Sequence, residues 1–267
     1  MATIRLIGLP TDANSSFLRG PAKAPPKIRE LLFSDMGNAA TESGAELGRE
    51  IELEDAGDLP LNGSADDDTQ IEAAVAAALA AGCVPLLIGG DHAITYPVLK
   101  AVAARYGPVE ILHVDAHPDL YDELLGNRRS HASPFARIME DGLARRLVQV
   151  GIRTLNAHQR EQAARFGVEI VPMRGFSVDK VPRLHGPLYI SIDLDGLDPA
   201  YAPGVSHHEP GGLSVREVLD LLARIDAQVV GGDVVEYNPD RDIHDMTAAV
   251  AAKLVKEIAA LISKRAT

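Results

Sequence analysis

Tryptophan is missing from the 267-residue chain and aromatic residues supply only 4% of it, so any core has to be aliphatic and alanine-rich. Cysteine occurs once, at Cys83, which excludes an internal disulfide and suits a reducing compartment. Its neighbours Val84, Pro85 and Leu86 are apolar, so Cys83 reads as a buried structural thiol. No stretch approaches the roughly 18 apolar residues of a membrane span. The opening MATIRLIGLP has neither the charged region nor the long apolar region of a secretory leader. The expected location is therefore cytoplasmic. Basic residues are also in deficit: 26 Lys and Arg against 38 Asp and Glu give a formal charge of −12. That balance speaks against nucleic acid or an anionic membrane as partner and is compatible with a cationic substrate.

Hydrophobic residues still make up 46% of the chain, ample for a sizeable core. Short β-branched runs predict strands at residues 4–9, 84–88, 109–114, 147–152, 169–172, 188–192 and 229–235. Several are apolar almost throughout, as strands buried on both faces should be. Between them, alanine-rich patterns predict helices at 26–33, 68–81, 96–106, 134–141, 157–166, 215–225 and 247–263. Ser214, with Glu217 three residues on, forms a capping-box pattern, and Gly107, Gly142 and Gly167 stand where helices should stop. Such alternation implies a mostly parallel sheet with helices on both faces. No repeat or linker breaks the chain, so it reads as one domain. The run Asp66-Asp67-Asp68 reads as a solvated helix start.

The chemistry lies where ligands bind in open parallel sheets, beyond the carboxyl ends of strands. One apolar run leads into Gly89-Gly90-Asp91-His92 and another into Asp115-Ala116-His117-Pro118-Asp119. A third leads into Asp193-Leu194-Asp195 and a fourth into Glu236-Tyr237-Asn238-Pro239. Asp115, His117 and Asp119 are spaced by two, as are Asp193 and Asp195, and in extended chain that spacing turns side chains to one face. Carboxylates converging at one sheet edge repel one another unless a cation is present. Four carboxylates and two imidazoles without a thiolate make an oxygen-rich set that suits Mn²⁺ better than structural Zn²⁺. Six side chains exceed what one catalytic ion takes, which points to two ions sharing carboxylates and activating a water.

These motifs resemble those of the ureohydrolases, the family that includes arginase and agmatinase, and look closest to its plant-type branch. The resemblance runs nearly end to end, through NSSFLRGPAKAPPKIRE, GGDHAITYPV, DAHPDLYD, GNRRSHASPFARIME, SIDLDGLDPAYAPGVSHHEPGGLS and GDVVEYNPDRD. It implies a three-layer α/β/α arginase-like fold, with a central mostly parallel sheet of about eight strands, as one domain over residues 1–267. It also implies two Mn²⁺ ions, one held by His92, Asp115, Asp119 and Asp193 and the other by His117, Asp115, Asp193 and Asp195. Glu236 matches the glutamate that grips the substrate guanidinium, and His131 the histidine that shuttles protons at the mouth of the site. Asp119 would pass a proton to the leaving amine, and His207 would lie beside the guanidinium. Asp91 and Asp198 match no ligand.

The implied reaction is hydrolysis of L-arginine to L-ornithine and urea. Agmatine, which lacks the carboxylate, is the rival substrate, with another guanidino or formimino compound behind it. An arginase needs polar groups for the far end of arginine, and Asn127 is the residue expected to take the α-carboxylate. Ser130 is a further candidate, and Arg128 and Arg129 read as surface charges. A non-catalytic metal-binding subunit is a further alternative, although none of the six ligands is missing. Family resemblance implies a homo-oligomer, a trimer or hexamer. The chain stops at Thr267 soon after its last helix, so a different interface from that of animal arginases is expected, and the start suggests a bacterial cytosolic member.

Overall fold

The computed structural model describes residues 2–264, and the expectation drawn from the chain's end at Thr267 falls outside them. All seven expected strands form with nearly the expected bounds: β1 (Ile4–Gly8), β3 (Val84–Ile88), β4 (Val109–Val114), β5 (Ala144–Ile152), β6 (Glu169–Pro172), β7 (Leu188–Asp193) and β8 (Val229–Val235). The helices follow as α1 (Ala24–Leu32), α2 (Asp67–Ala80), α3 (Thr95–Tyr106), α4 (Pro134–Glu140), α5 (Ala157–Phe166), α6 (Val215–Ala223) and α7 (Met246–Ser263). Ser214 and Glu217 close the expected capping box at α6, and Gly167 ends α5 in the left-handed conformation that glycine adopts without strain.

One strand has no counterpart in the sequence reading. β2 (Leu53–Asp58) reads LEDAGD, lies at the sheet edge and is mostly exposed, so it lacks the apolar pattern by which buried strands are found. Arg29 of α1 anchors it through Asp55 and Asp58. Acidic side chains on an edge strand also discourage pairing with another chain.

The eight strands are parallel throughout and run in the order β2-β1-β3-β8-β7-β4-β5-β6. Alternate residues face two cores. Ile4, Leu6, Leu86 and Ile88 point toward α1, α6 and α7, whereas Ile7 and Leu87 point toward α2, α3, α4 and α5. The result is the expected three-layer α/β/α arrangement. From β3 the chain jumps over the places later filled by β8 and β7 and lays down β4. Strand order reverses across this gap, so a crevice opens at the carboxyl ends of β3, β8, β7 and β4. Each of the four polar motifs follows one of these four strands.

Candidate metal centre and substrate cavity

The ligand motifs converge, but by turns rather than by strand alternation. Asp115 Oδ1 accepts from its own His117 N at 2.6 Å, which bends the chain directly after β4. Gln149 Nε2 holds Pro118 O at 2.6 Å, and Gln159 Oε1 accepts Leu120 N at 3.1 Å. Asp119 then sits at φ +49°, a left-handed conformation that a non-glycine residue adopts at a cost of roughly 1–3 kcal/mol. Asp193 caps the turn after β7 in the same way, its Oδ1 accepting Asp195 N at 2.8 Å. The two loops touch at Gly196, where a Cβ would stand 2.9 Å from the Asp115 backbone.

Two foci result. His92 Nδ1 lies 3.4 Å from Asp115 Oδ2, 3.2 Å from Asp119 Oδ2 and 3.1 Å from Asp193 Oδ2. His117 Nδ1 lies 3.3 Å from Asp115 Oδ1 and 3.2 Å from Asp195 Oδ2. Asp115 thus offers one oxygen to each focus. His92 supplies the sharpest test of whether a cation belongs there. Ser191 donates to Asp233 Oδ1 at 2.6 Å, so its oxygen is free to accept from His92 Nε2 at 2.8 Å. Asp233 is in turn held by Thr95 and Tyr189. That chain puts the proton on Nε2 and leaves Nδ1, fully buried and without a hydrogen bond, aimed at three carboxylate oxygens. A lone pair facing three anions calls for a cation among them, and a neutral imidazole with carboxylates is a donor set that manganese accepts.

The electrostatics agree. Burial and the neighbouring Asp195 and Asp115 carboxylates push Asp193 well above the carboxylate range. Burial, with Asp115 beside it, raises Asp195 to about 6 even though His117 opposes the shift. Burial alone lowers the His92 ring, but Asp115, Asp119 and Asp193 override it and hold the ring well above its ordinary value. Without a metal, a proton serves as the cation.

His113 was not among the residues expected here. It lies on β4, fully buried and stacked on Phe135 with ring centroids 3.9 Å apart. Gln149 Nε2 donates to its Nδ1 at 3.0 Å, which leaves the proton on Nε2 for Asp115 Oδ2 at 2.8 Å. Burial pushes the ring's pKa down, so it stays neutral. His92, His113 and Asp115 are near enough to hold an ion. With Nδ1 engaged by Gln149 and Nε2 by Asp115, however, His113 aims a carboxylate rather than ligating. The signal was in the sequence: His113 continues the spacing of two backward from Asp115.

Beside the foci lies a cavity of about 230 Å³, lined among others by Ser16, His117, Asp119, His131, His207 and Glu236. Glu236 follows β8 at φ +63°, its backbone N bonded to Gly90 O at 3.0 Å. Its Oε1 accepts from His92 N at 2.9 Å and His131 Nδ1 at 2.8 Å, leaving Oε2 unpartnered among the described residues. Burial alone would lower the pKa of His131, but Glu236 raises it to about 9, so the ring is an imidazolium at neutral pH. Its Nε2 lies 2.8 Å from Ser16 Oγ. Ser16 had not been singled out. Its loop is held by Asp91, whose carboxylate accepts Asn14 N at 2.8 Å, which gives that unassigned aspartate a role. His207 stacks obliquely on His131, centroids 5.4 Å apart, and burial lowers its pKa.

Other expected residues fall elsewhere. Asn127 is exposed and absent from the cavity lining, because its amide closes its own loop through Asn14 Oδ1 at 3.2 Å and Arg129 N at 2.8 Å. Ser130 is buried, its Oγ accepting Ala132 N at 3.3 Å. Arg128 is a surface charge, but Arg129 is half-buried, paired with Asp68 and lying over the Tyr96 ring. Asp67, expected in solvent, is buried and accepts the backbone N–H groups of Asn62 and Gly63. Arg153, also unforeseen, donates to the carbonyls of Gly151, Asp195, Gly196, Leu197 and Glu209. It clamps the loop that carries Asp195 and His207 to β5.

Known proteins resemble this chain in sequence and fold. A profile described as the Arginase family matches residues 2–260. Arginase 1, mitochondrial, of Arabidopsis thaliana is 53% identical over 98% of this chain and 82% of its own length. The guanidino acid hydrolase, mitochondrial, of Homo sapiens is 37% identical, covering 98% and 78%. The solved arginase from Medicago truncatula superposes with a TM-score of 0.92 at 46% identity, over 98% of this chain and 87% of that one.

Proposed function

This chain belongs to the arginase family, and from that premise we propose that it hydrolyses L-arginine to L-ornithine and urea at a binuclear Mn²⁺ centre. One observation carries the reading: the bare, buried Nδ1 of His92 faces three carboxylates beside a cavity that Glu236 lines. His92, Asp115, Asp119 and Asp193 would hold one ion, and His117, Asp115, Asp193 and Asp195 the other. The ions would supply positive charge and lower the pKa of water toward neutrality.

The protein's own groups supply the rest. Glu236, fixed through Oε1, keeps Oε2 for the substrate's guanidinium, a charge-assisted bond. Asp119, at the cavity wall, accepts the proton released when water adds to the guanidinium carbon. As the carbon–nitrogen bond to the side chain breaks, the departing nitrogen takes up a proton from Asp119 or from the His131 imidazolium. Holding the guanidinium still beside these groups removes the entropy cost of assembling them. Ser16 fixes the His131 ring from the opposite side to Glu236.

Agmatine is the rival substrate, favoured by a lining that contains neither Lys nor Arg to meet a carboxylate. Urea release from the two substrates after Mn²⁺ loading decides between them. The expected outcome is a higher kcat/KM for L-arginine, whereas agmatine ahead by about tenfold, about 1.4 kcal/mol in selectivity, overturns the substrate reading. Glu236→Gln should keep full Mn²⁺ content and lose activity; activity near wild type would remove Glu236 from its role. Family membership supports a homo-oligomer, trimer or hexamer. The lone, free Cys83 supports a cytoplasmic location.

A further inference from the structure

A guanidino substrate presents two things to this cavity: the reacting head and a tail. Glu236 and the ligand set account for the head. The tail has to meet the remaining lining, which includes Tyr121, Leu124, Thr154, Gln159 and Glu209. Most of the polar atoms there are already engaged. Thr154 Oγ1 donates to Ala116 O at 3.1 Å, and Tyr121 OH accepts from Asn156 Nδ2. No guanidinium lines the cavity among the described residues. Arg153 is spent on backbone carbonyls, Arg128 on Asp122 and Glu140, and Arg129 on Asp68.

Among the described residues, His207 Nε2, beside the head, is buried without a partner, and the Tyr121 hydroxyl keeps a proton to donate; toward the tail two further groups are uncommitted. Glu209 is half-buried, and its carboxylate has no hydrogen bond or ion pair among the described residues. Its backbone is nonetheless anchored, because Arg153 grips its main-chain carbonyl oxygen at 2.9 and 2.5 Å. Gln159 is 3% exposed. Its Oε1 is fixed by Leu120 N at 3.1 Å and its own N–H by Asn156 Oδ1 at 2.9 Å, the cap of α5. Only the amide nitrogen Nε2 is left, on the cavity lining and without a protein partner. A carboxylate on an anchored backbone and a held amide donor therefore border the same small space.

Building on the guanidino-substrate reading above, we propose that Glu209 and Gln159 read the substrate's tail, Glu209 accepting its ammonium and the Gln159 amide donating to its carboxylate. An α-amino acid end satisfies both, whereas a tail with only one of the two groups leaves the other residue desolvated and unpaired. Arginine then outcompetes agmatine without a Lys or Arg in the cavity lining.

The test is a double substitution series read by urea release from L-arginine, agmatine and 4-guanidinobutyrate, the last having a carboxylate but no amine. Glu209→Gln is isosteric. It should lower kcat/KM about tenfold for L-arginine and agmatine, mainly through KM, because a bond to a charged group is lost. It should leave 4-guanidinobutyrate within about twofold. Gln159→Glu keeps the acceptor for Leu120 N and replaces the donor with an anion. L-arginine and 4-guanidinobutyrate should fall about tenfold or more while agmatine holds or improves. Variants that lower all three substrates equally, or change no ratio between them, overturn the assignment. A wild type that releases urea from none of the three defeats the guanidino reading instead, and this inference with it.

Discussion

Replacing His113 with phenylalanine isolates a single interaction at the metal centre. The new ring is flat and aromatic like the old one, though slightly larger, and can still stack on Phe135, whose centroid lies 3.9 Å away. Gln149 loses an acceptor at 3.0 Å but keeps Pro118 O at 2.6 Å, so no backbone support is removed. What disappears is the 2.8 Å bond from Nε2 to Asp115 Oδ2. A hydrogen bond to an ionised group is worth roughly 1.5–3 kcal/mol, which corresponds to roughly 10- to 150-fold in an equilibrium constant. Loss of an outer partner usually weakens a metal site about 10- to 100-fold. Asp115 retains its bond from His117 N at 2.6 Å, so the lower half of that range applies. The expected result is a Mn²⁺ dissociation constant about 10- to 30-fold higher at unchanged stoichiometry. Competition between apoprotein and a chelator of known affinity measures it, with circular dichroism to verify the fold. Affinity within about twofold of wild type in a folded variant would refute the positioning role. Loss of a whole equivalent of metal would show that His113 is itself a ligand.

Two further outcomes follow from the geometry. In chelated protein, His131 has a folded pKa of about 9 against 6.5 as its ordinary value, so it stabilises the fold fully below 6.5 and loses that contribution as pH rises through 9. The stability difference between wild type and His131→Asn, measured by urea unfolding, should shrink over that window; a difference that grows with pH contradicts the ion pair with Glu236. Arg153→Met strips a donor from five carbonyls, and should destabilise by about 2–4 kcal/mol. Scanning calorimetry should record a fall in Tm of about 5–15 °C, and a change under about 2 °C removes the clamp from consideration.

The fold was legible because its strands are buried on both faces and their apolar runs are nearly continuous. β2 escaped because an edge strand needs no apolar face, and LEDAGD carries none. The six expected ligands, placed after strands by the sequence, do converge, but the physical reason differs from the expected one. Side chains of Asp115 to Asp119 meet because hydrogen bonds turn the backbone, and an extended segment would not place Asp119 at φ +49°. His113 and Gln149 hide inside apolar strands, where a polar residue reads as an interruption. Ser16 and Glu209 come from loops and Gln159 from α5, all distant in sequence, and only tertiary structure brings them to one cavity. Asn127 had the right chemistry and an adjacent position, but its amide was already committed to its own loop.

The order of the sheet bears on how the molecule assembles. Among the described residues, β8, which follows the other seven strands in sequence, is the only strand joining the β2-β1-β3 trio to the β7-β4-β5-β6 quartet. Until it is laid down, each part has an open parallel edge, and the two hydrophobic layers have no common frame. All six expected ligands precede β8 in sequence, but the strand that holds His92, after β3, in register with Asp193, at the end of β7, is laid down after them. Contacts such as the one from Glu236 to His92 span 144 residues of sequence. Closing loops of that length before any reward is a slow route. The vulnerable period for aggregation is thus the interval before the keystone strand slots in, when chaperones that shield unpaired strand edges would matter most.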